Sequence, residues 1–274
     1  MKINNRIFTA GGASALNTIV TINHKGGVGK TFISSGLAVA LAQKGNKVLL
    51  IDTDAQGNLS RMFGIDPKAE AIEASLFNCL NNKLKKGNEK TSSFISHTDF
   101  PNIDILVGDV RLTANRMEVE RALAQFDFVY QDIVGDIAKE CDYNFVIIDT
   151  PPSLGGENSQ VMMAADYLII PTTTGLNSIE GINTIIEFYN NCHRVNPGLK
   201  ILGIVLNAVM SNSTVFRDVF PAIKENYGEY LMDTRIERSV VAEKIEWNGV
   251  KPANNKIFRA FSALADEVVE KIGH

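Results

Sequence analysis

The feature that most constrains this chain is the stretch Thr21-Ile22-Asn23-His24-Lys25-Gly26-Gly27-Val28-Gly29-Lys30-Thr31-Phe32. It follows an apolar run, Ile19 to Ile22, and opens a segment with helical spacing at Ile33, Leu37, Ala40 and Leu41. A glycine-rich turn from strand into helix lines up backbone N–H groups at the positive end of a helix dipole, and that geometry binds phosphate. Lys30 is then placed to lie along the β and γ phosphates, and the Thr31 hydroxyl to coordinate a magnesium ion. A solvated glycine-rich surface turn is the alternative, but it would need neither the strand nor the helix, and both flanks are present.

The match to the P-loop pattern is close at one end and altered at the other. Gly29-Lys30-Thr31 fits its end, whereas His24 stands where the pattern has its first glycine, and a second lysine, Lys25, precedes Gly26. The backbone of Gly26, Gly27, Val28, Gly29, Lys30, Thr31 and Phe32 is the expected nucleotide cradle.

A chain of 274 residues, 45% of them hydrophobic, can bury a substantial core in one α/β domain. The net charge of −4 excludes a uniformly basic nucleic-acid binder, so any such binding must use a local patch. Cys79, Cys141 and Cys192 are scattered, without the paired spacing of a zinc site or redox dithiol, and read as thiols in a reducing compartment. No apolar run approaches the roughly 20 residues needed to cross a bilayer, and no secretory leader is visible. The expectation is a cytoplasmic protein without a membrane anchor. Residues 1–17 read as a short extension and 18–274 as a single domain.

Along the chain, short apolar runs alternate with helix-like stretches. That is the pattern of a mostly parallel, twisted sheet with helices on both faces, an α/β P-loop NTPase. Strands are predicted at Thr18–Ile22, Lys47–Ile51, Ile103–Val107, Phe145–Ile148, Tyr167–Ile170 and Ile201–Leu206. Helices are predicted at Lys30–Lys44, Ala69–Asn81, Val119–Glu140, Ser178–Asn190, Thr214–Tyr227 and Asn254–Ile272. Asn81 to Thr91, carrying Lys83, Lys85, Lys86 and Lys90, reads as an exposed loop, and Asp233 to Pro252 shows no clean period.

Two apolar strands end in acid. Val48-Leu49-Leu50-Ile51-Asp52-Thr53-Asp54 puts one carboxylate, Asp52, beside the magnesium position and a second, Asp54, within reach of a water. The competing reading is an Asp-rich turn in which Asp54 or Asn58 caps the next helix. Phe145-Val146-Ile147-Ile148-Asp149 is a Walker-B arrangement, with Asp149 on the magnesium. Pro151 and Pro152 then fix the turn and leave Thr150 and Ser153 as polar contacts. The metal set is thus Thr31, Asp52 and Asp149.

Together these residues resemble the ParA/Soj family of partition ATPases, within the larger group that has a deviant Walker A motif. Lys-Gly-Gly-x-Gly-Lys-Thr is met from Lys25 to Thr31, and Ile-Asp-x-Pro-Pro from Ile148 to Pro152. Asp-x-Asp-Pro-Gln-Gly-Asn is met from Asp52 to Asn58, with Ala55 in place of proline. The likeness continues through Ile179-Glu180-Gly181 and Gly203-Ile204-Val205-Leu206-Asn207, and covers the chain from Thr18 to Ile272. It implies ATP and Mg2+ as cofactors, slow ATP hydrolysis, and an ATP-dependent homodimer with nucleotide between two protomers. Lys25 would then reach the partner's phosphates, Lys30 would hold its own, Asp54 would position the attacking water, and Asn207 would contact the adenine edge.

The resemblance also implies non-specific binding of double-stranded DNA, nucleoid association when ATP is bound, and a ParB-like centromere-binding partner that stimulates hydrolysis. Gln56-Gly57-Asn58 separates ParA-like members from MinD-like membrane ATPases. The C-terminal stripe Phe261, Leu264, Ala265, Val268 and Ile272 is backed by Asp266, Glu267 and Glu270, whereas a membrane-docking helix carries a basic face. Between His193 and Arg259, basic side chains outnumber acids by ten to seven, and Arg235, Arg238, Lys244 and Lys251 are the candidate DNA contacts. A same-type ATPase that positions a protein cargo, and a non-catalytic nucleotide-dependent scaffold, are the rival readings. A nitrogenase-reductase-like carrier would need paired cluster-ligating cysteines, which the chain lacks.

Overall fold

Eight strands form one sheet in the order β3-β4-β2-β5-β1-β6-β7-β8. The computed structural model describes residues 16–68, 72–114, 128–175, 177–239 and 255–273. The strands are β1 (Asn17–Thr21), β2 (Val48–Asp52), β3 (Ser96–His97), β4 (Ile103–Leu106), β5 (Phe145–Asp149), β6 (Tyr167–Thr172), β7 (Lys200–Val209) and β8 (Leu231–Glu237). All neighbours pair parallel except the two-residue β3, which runs antiparallel to β4. The strand order reverses direction at β1, with earlier crossovers to one side and later ones to the other. A crevice at such a reversal, at the carboxyl ends of the strands, is where open α/β sheets bind ligands.

The helices are α1 (Lys30–Gln43), α2 (Asn58–Met62), α3 (Leu76–Leu84), α4 (Arg111–Ala114), α5 (Val129–Glu140), α6 (Gly156–Ala164), α7 (Ser178–His193), α8 (Thr214–Tyr227) and α9 (Lys256–Ile272). Alternation along each strand sends side chains to two cores. Val20, Leu49, Ile51, Val146 and Ile148 pack under α3, α5, α6, α7 and α8. Ile19, Val48, Leu50, Phe145 and Ile147 pack under α1, α2 and α9. Helices therefore cover both faces, as the strand composition predicts. Phe261, Leu264, Ala265 and Val268 of α9 are buried in the second core and Ile272 is half-buried, so the C-terminal stripe is packing surface.

Several boundaries differ from the sequence reading, each for a local reason. The helix expected from Ala69 begins at Leu76, because the Ser75 hydroxyl caps it by accepting the Asn78 N–H at 3.3 Å. It also runs on to Leu84, so the expected lysine loop is partly helical, and Lys83 is ion-paired with Asp136 of α5. The helix expected at Val119–Glu140 is seen from Val129, and residues 115–127 lie outside the described set. β8 falls in the stretch without a clean period because only Met232 and Ile236 along it are fully buried. Its exposed N–H groups at Asp233 and Thr234 are taken up by the Glu267 carboxylate of α9, at 2.8 and 3.1 Å. The helix α6, which opens on Gly155-Gly156 and has no strong apolar stripe, was not predicted.

Candidate functional site

The glycine-rich loop leaves the carboxyl end of β1 and enters α1 through two residues that need positive φ, Gly27 at 74° and Gly29 at 87°. Asn23 anchors its start. The Asn23 amide nitrogen donates to the Pro171 carbonyl at 2.8 Å, and its oxygen accepts the Lys25 N–H at 3.0 Å. Asn207, buried at the end of β7, supports the loop from the other side by donating from its side-chain nitrogen to the Val28 carbonyl at 3.0 Å. A Cβ on Gly29 would lie 2.0 Å from that nitrogen, so the close approach requires glycine as much as the dihedral does. The amide of Asn207 is thus committed to the loop backbone, a role that the sequence did not reveal.

Register brings the acids together. Thr21, Asp149 and Asp52 are consecutive partners across β1, β5 and β2, one row at the carboxyl edge of the sheet. Both carboxylates are fully buried. Thr31 donates to Asp149 Oδ2 at 2.7 Å, and Ser34, one turn further along α1, donates to Oδ1 at 2.9 Å. Asp52 Oδ2 accepts from the Ser60 N–H at 2.9 Å and the Ser60 hydroxyl at 2.7 Å, while Oδ1 accepts the Asp54 N–H at 3.2 Å. Ser34 and Ser60 were not among the expected site residues. The only available signal was their placement one turn or less beyond the P-loop and acidic motifs.

Burial dominates the electrostatics. It pushes the Asp52 carboxyl up to about 7, with the neighbouring Asp149 charge adding to the rise and the Ser60 hydrogen bonds opposing it. Asp149 is pushed up to about 6 by burial, against the Thr31 and Ser34 hydrogen bonds and the Lys30 charge. Lys30 is pulled down by burial, with Asp149 and Asp54 opposing that fall. Its ammonium turns back onto the loop, 3.4 Å from the Lys25 carbonyl.

Asp54 is half-buried and turns its own chain. Its Oδ1 accepts the Gln56 N–H at 2.9 Å and its carbonyl the Gly57 N–H at 2.8 Å. Neither Asp54 nor Asn58 caps α2; Gly57, at φ 60°, occupies that position without a side-chain cap. Of the two readings of the Asp-rich turn, capping is therefore not the one adopted. The Phe32 side chain is buried edge-on against Phe261, with ring centroids 5.2 Å apart, which leaves its backbone N–H, the part expected in the cradle, to face a ligand.

Lys25 does not project outward. Its ammonium donates to the Asn177 carbonyl at the start of α7, and its stem lies over Gly181. Of the candidate DNA contacts, Arg235 lies over the Phe220 ring at 4.2 Å from the centroid, and Arg238 follows at the end of β8, its N–H donating to the Val209 carbonyl at 3.0 Å. Both side chains are exposed, whereas Lys244 and Lys251 fall outside the described residues.

The donor set at this edge, two carboxylates with the Thr31 hydroxyl, is all oxygen. That suits magnesium, which keeps several waters and draws its remaining ligands from nucleotide phosphates. Among the described residues, no three His, Cys, Asp or Glu side chains cluster where they could hold a metal ion by themselves. Among the described residues, the Thr21 hydroxyl in the same row and His24 Nδ1 on the loop are buried without a hydrogen-bond partner. No helix of the described residues is long and apolar enough to cross a membrane.

The chain is similar to known proteins over most of its length. A family model described as an AAA domain matches residues 16–201. An uncharacterized protein of Methanocaldococcus jannaschii is 32% identical over 91% of this chain and 97% of its own. The chromosome partitioning protein ParA of Caulobacter vibrioides is 29% identical over 83% of each chain. Among solved structures, the cobyrinic acid a,c-diamide synthase of Mycobacterium smegmatis, with a bound ATP analog and magnesium, superposes with a TM-score of 0.78 at 25% identity over 94% of this chain and 96% of its own. The chain belongs to the AAA domain family and, within it, to the ParA-type ATPases, a group that includes partition and positioning proteins.

Proposed function

We propose that this chain binds ATP with magnesium on the loop from Lys25 to Phe32, hydrolyses it slowly, and uses the ATP-bound state to form a DNA-binding homodimer in DNA partition. The observation that carries the reading is the row formed by Asp149 and Asp52, reached by the Thr31 hydroxyl from the end of the glycine-rich loop. The relative solved with an ATP analog and magnesium supports the choice of ligand, and the Caulobacter ParA supports the choice of process.

In this reading the backbone N–H groups of Gly26 to Thr31 hold the phosphates, and Lys30 neutralises the charge that develops on the γ-phosphate. Magnesium, when bound, would supply positive charge that offsets the phosphate charge. Thr31, Asp149 and Asp52 would hold it, the carboxylates in part through water. Asp54, whose half-buried carboxylate stands beside this row, positions the attacking water. Lys25 leaves the Asn177 carbonyl to reach a partner protomer's phosphates. The exposed pair Arg235 and Arg238 contributes to the DNA surface, which neither protomer completes alone, and a ParB-like partner accelerates turnover.

The test is a set of three measurements on the wild-type protein and two variants. Calorimetry should show uptake of ATP in magnesium, lost in Lys30→Ala. Asp54→Ala should bind ATP and dimerise on a sizing column, yet release less than about a tenth of the wild-type phosphate, since water-positioning groups contribute about a hundred-fold or more. Wild-type protein that takes up no nucleotide refutes the reading. Wild-type turnover in Asp54→Ala refutes the role of that residue.

A further inference from the structure

We infer that Ser34 is a positioning residue for the magnesium carboxylate Asp149, an inference that rests on the nucleotide reading above. Ser34 is fully buried on α1, three residues beyond Thr31, so the two hydroxyls share one stripe of the helix. That stripe faces the carboxyl end of β5. Thr31 takes Asp149 Oδ2 at 2.7 Å and Ser34 takes Oδ1 at 2.9 Å. Two donors on two oxygens fix both the direction and the rotation of the carboxylate plane. Thr31 alone would leave the carboxylate free to turn about its own axis.

The Ser34 hydroxyl has one proton and two acceptors within reach, because the Lys30 carbonyl lies 3.1 Å away. Back-bonding to that carbonyl is the ordinary fate of a serine inside a helix. The carboxylate is the better acceptor, since hydrogen bonds to an ionised group are the stronger kind. The serine therefore orients Asp149 and needs no other partner to be satisfied.

Ser60 gives Asp52 a comparable pair of bonds, but its oxygen also accepts the Gly108 N–H at 3.2 Å. Removing Ser60 would orphan a second buried group and disturb the β4 exit as well. Ser34 has no such second duty, and it separates orientation of the metal ligand from support of the fold. Outer groups that orient metal ligands contribute about ten- to a hundred-fold to metal affinity.

The experiment is titration of magnesium into the full chain with a fluorescent ADP analogue, for wild type, Ser34→Ala and Ser34→Thr. Affinity for the analogue in EDTA should stay within about two-fold in Ser34→Ala, because the loop N–H groups and Lys30 are untouched. The magnesium concentration that half-saturates the tightened complex should rise about ten-fold or more. Ser34→Thr, which keeps the hydroxyl, should return most of that change. An unchanged magnesium half-point in a folded Ser34→Ala overturns the inference, as does a Ser34→Thr that behaves like alanine while melting like wild type. Failure of the wild-type protein to bind the analogue would instead sink the nucleotide reading, so the two failures are distinguishable.

Discussion

The Lys25 ammonium donates to the backbone carbonyl of Asn177, and its stem crosses Gly181, where a Cβ would stand 3.2 Å from Cδ and Cε and 3.4 Å from Nζ. The lysine that would serve a partner protomer is held within its own chain. Its cation rests at the positive end of α7, a position that the helix dipole disfavours. A contact of that sign releases its lysine readily.

Gly181→Ala tests this arrangement. The added methyl crowds the lysine stem, while alanine inside a helix is favoured over glycine by up to about 1 kcal/mol. The variant should melt at or above the wild-type temperature and should dimerise with a non-hydrolysable ATP analogue at several-fold lower protein concentration. A variant that melts lower and dimerises no better shows that the lysine is not held back by this contact.

Gly29 and Asn207 make a second pair open to a mutant cycle. Gly29→Ala meets both a φ of 87° and the Asn207 nitrogen at 2.0 Å, and nucleotide binding should be lost. Adding Asn207→Ala removes the collision but not the dihedral strain, which is about 1 kcal/mol or more. The double variant should recover part of the stability and less of the binding. Equal melting of Gly29→Ala alone and with Asn207→Ala would mean that the side chain does not bear on the loop.

Stability of the metal-free protein should depend on pH in a direction set by Asp52 and Asp149. Their folded values, about 7 and about 6, lie above the ordinary carboxylate range. Between about pH 4 and pH 7 the folded chain thus binds protons that the unfolded chain has already released, so stability falls as pH rises through that window and levels off above it. The melting temperature without magnesium should drop by several degrees between about pH 5.5 and pH 7.5, and Asp52→Asn should flatten the drop and melt higher than wild type at pH 8. A wild-type melting temperature that rises over that window would contradict the assignment.

Replacing Arg235 and Arg238 together by alanine should lower DNA affinity without changing ATP affinity. Arg235 is held over Phe220 and remains exposed, so its guanidinium is presented rather than sequestered. Each phosphate contact contributes about one to the slope of log affinity against log salt. The double alanine variant, in ATP, should therefore lose about two from that slope. An unchanged slope would place the DNA surface elsewhere on the chain.

The motifs made the nucleotide loop and the two acids legible in the sequence, because glycines before Lys30 and apolar runs ending in Asp52 and Asp149 are local signals. The parallel sheet was equally legible, since strands buried on both faces read as unbroken apolar runs. What stayed hidden depends on register or on a distant partner. Nothing local links Ser34 to Asp149 or Asn207 to Val28, which are 115 and 179 residues apart. β8 was missed because an edge strand need bury only Met232 and Ile236, and α6 because its glycine-rich start lacks a side-chain cap. Phe32 divides in the same way: its position in the motif concerns its backbone, while its side chain answers to α9.

That last contact carries a prediction about how the P-loop helix is held. Phe261 of α9 is fully buried, meets Phe32 edge-on, and covers Gly36, where a Cβ would lie 2.2–2.4 Å from three ring carbons. Glycine is required in α1 there by the ring and not by the backbone. Phe261→Ala should cost about 3–5 kcal/mol, as large core truncations do. Gly36→Ala should cost about 1–3 kcal/mol through overpacking, in spite of alanine's helix preference. Pairing Gly36→Ala with Phe261→Leu exchanges volume across the contact and should restore much of the loss, a coupling measured by denaturant melts of the two singles and the double. If the two effects simply add, the ring does not rest on that glycine, and α9 is joined to the nucleotide helix by some other part of its surface.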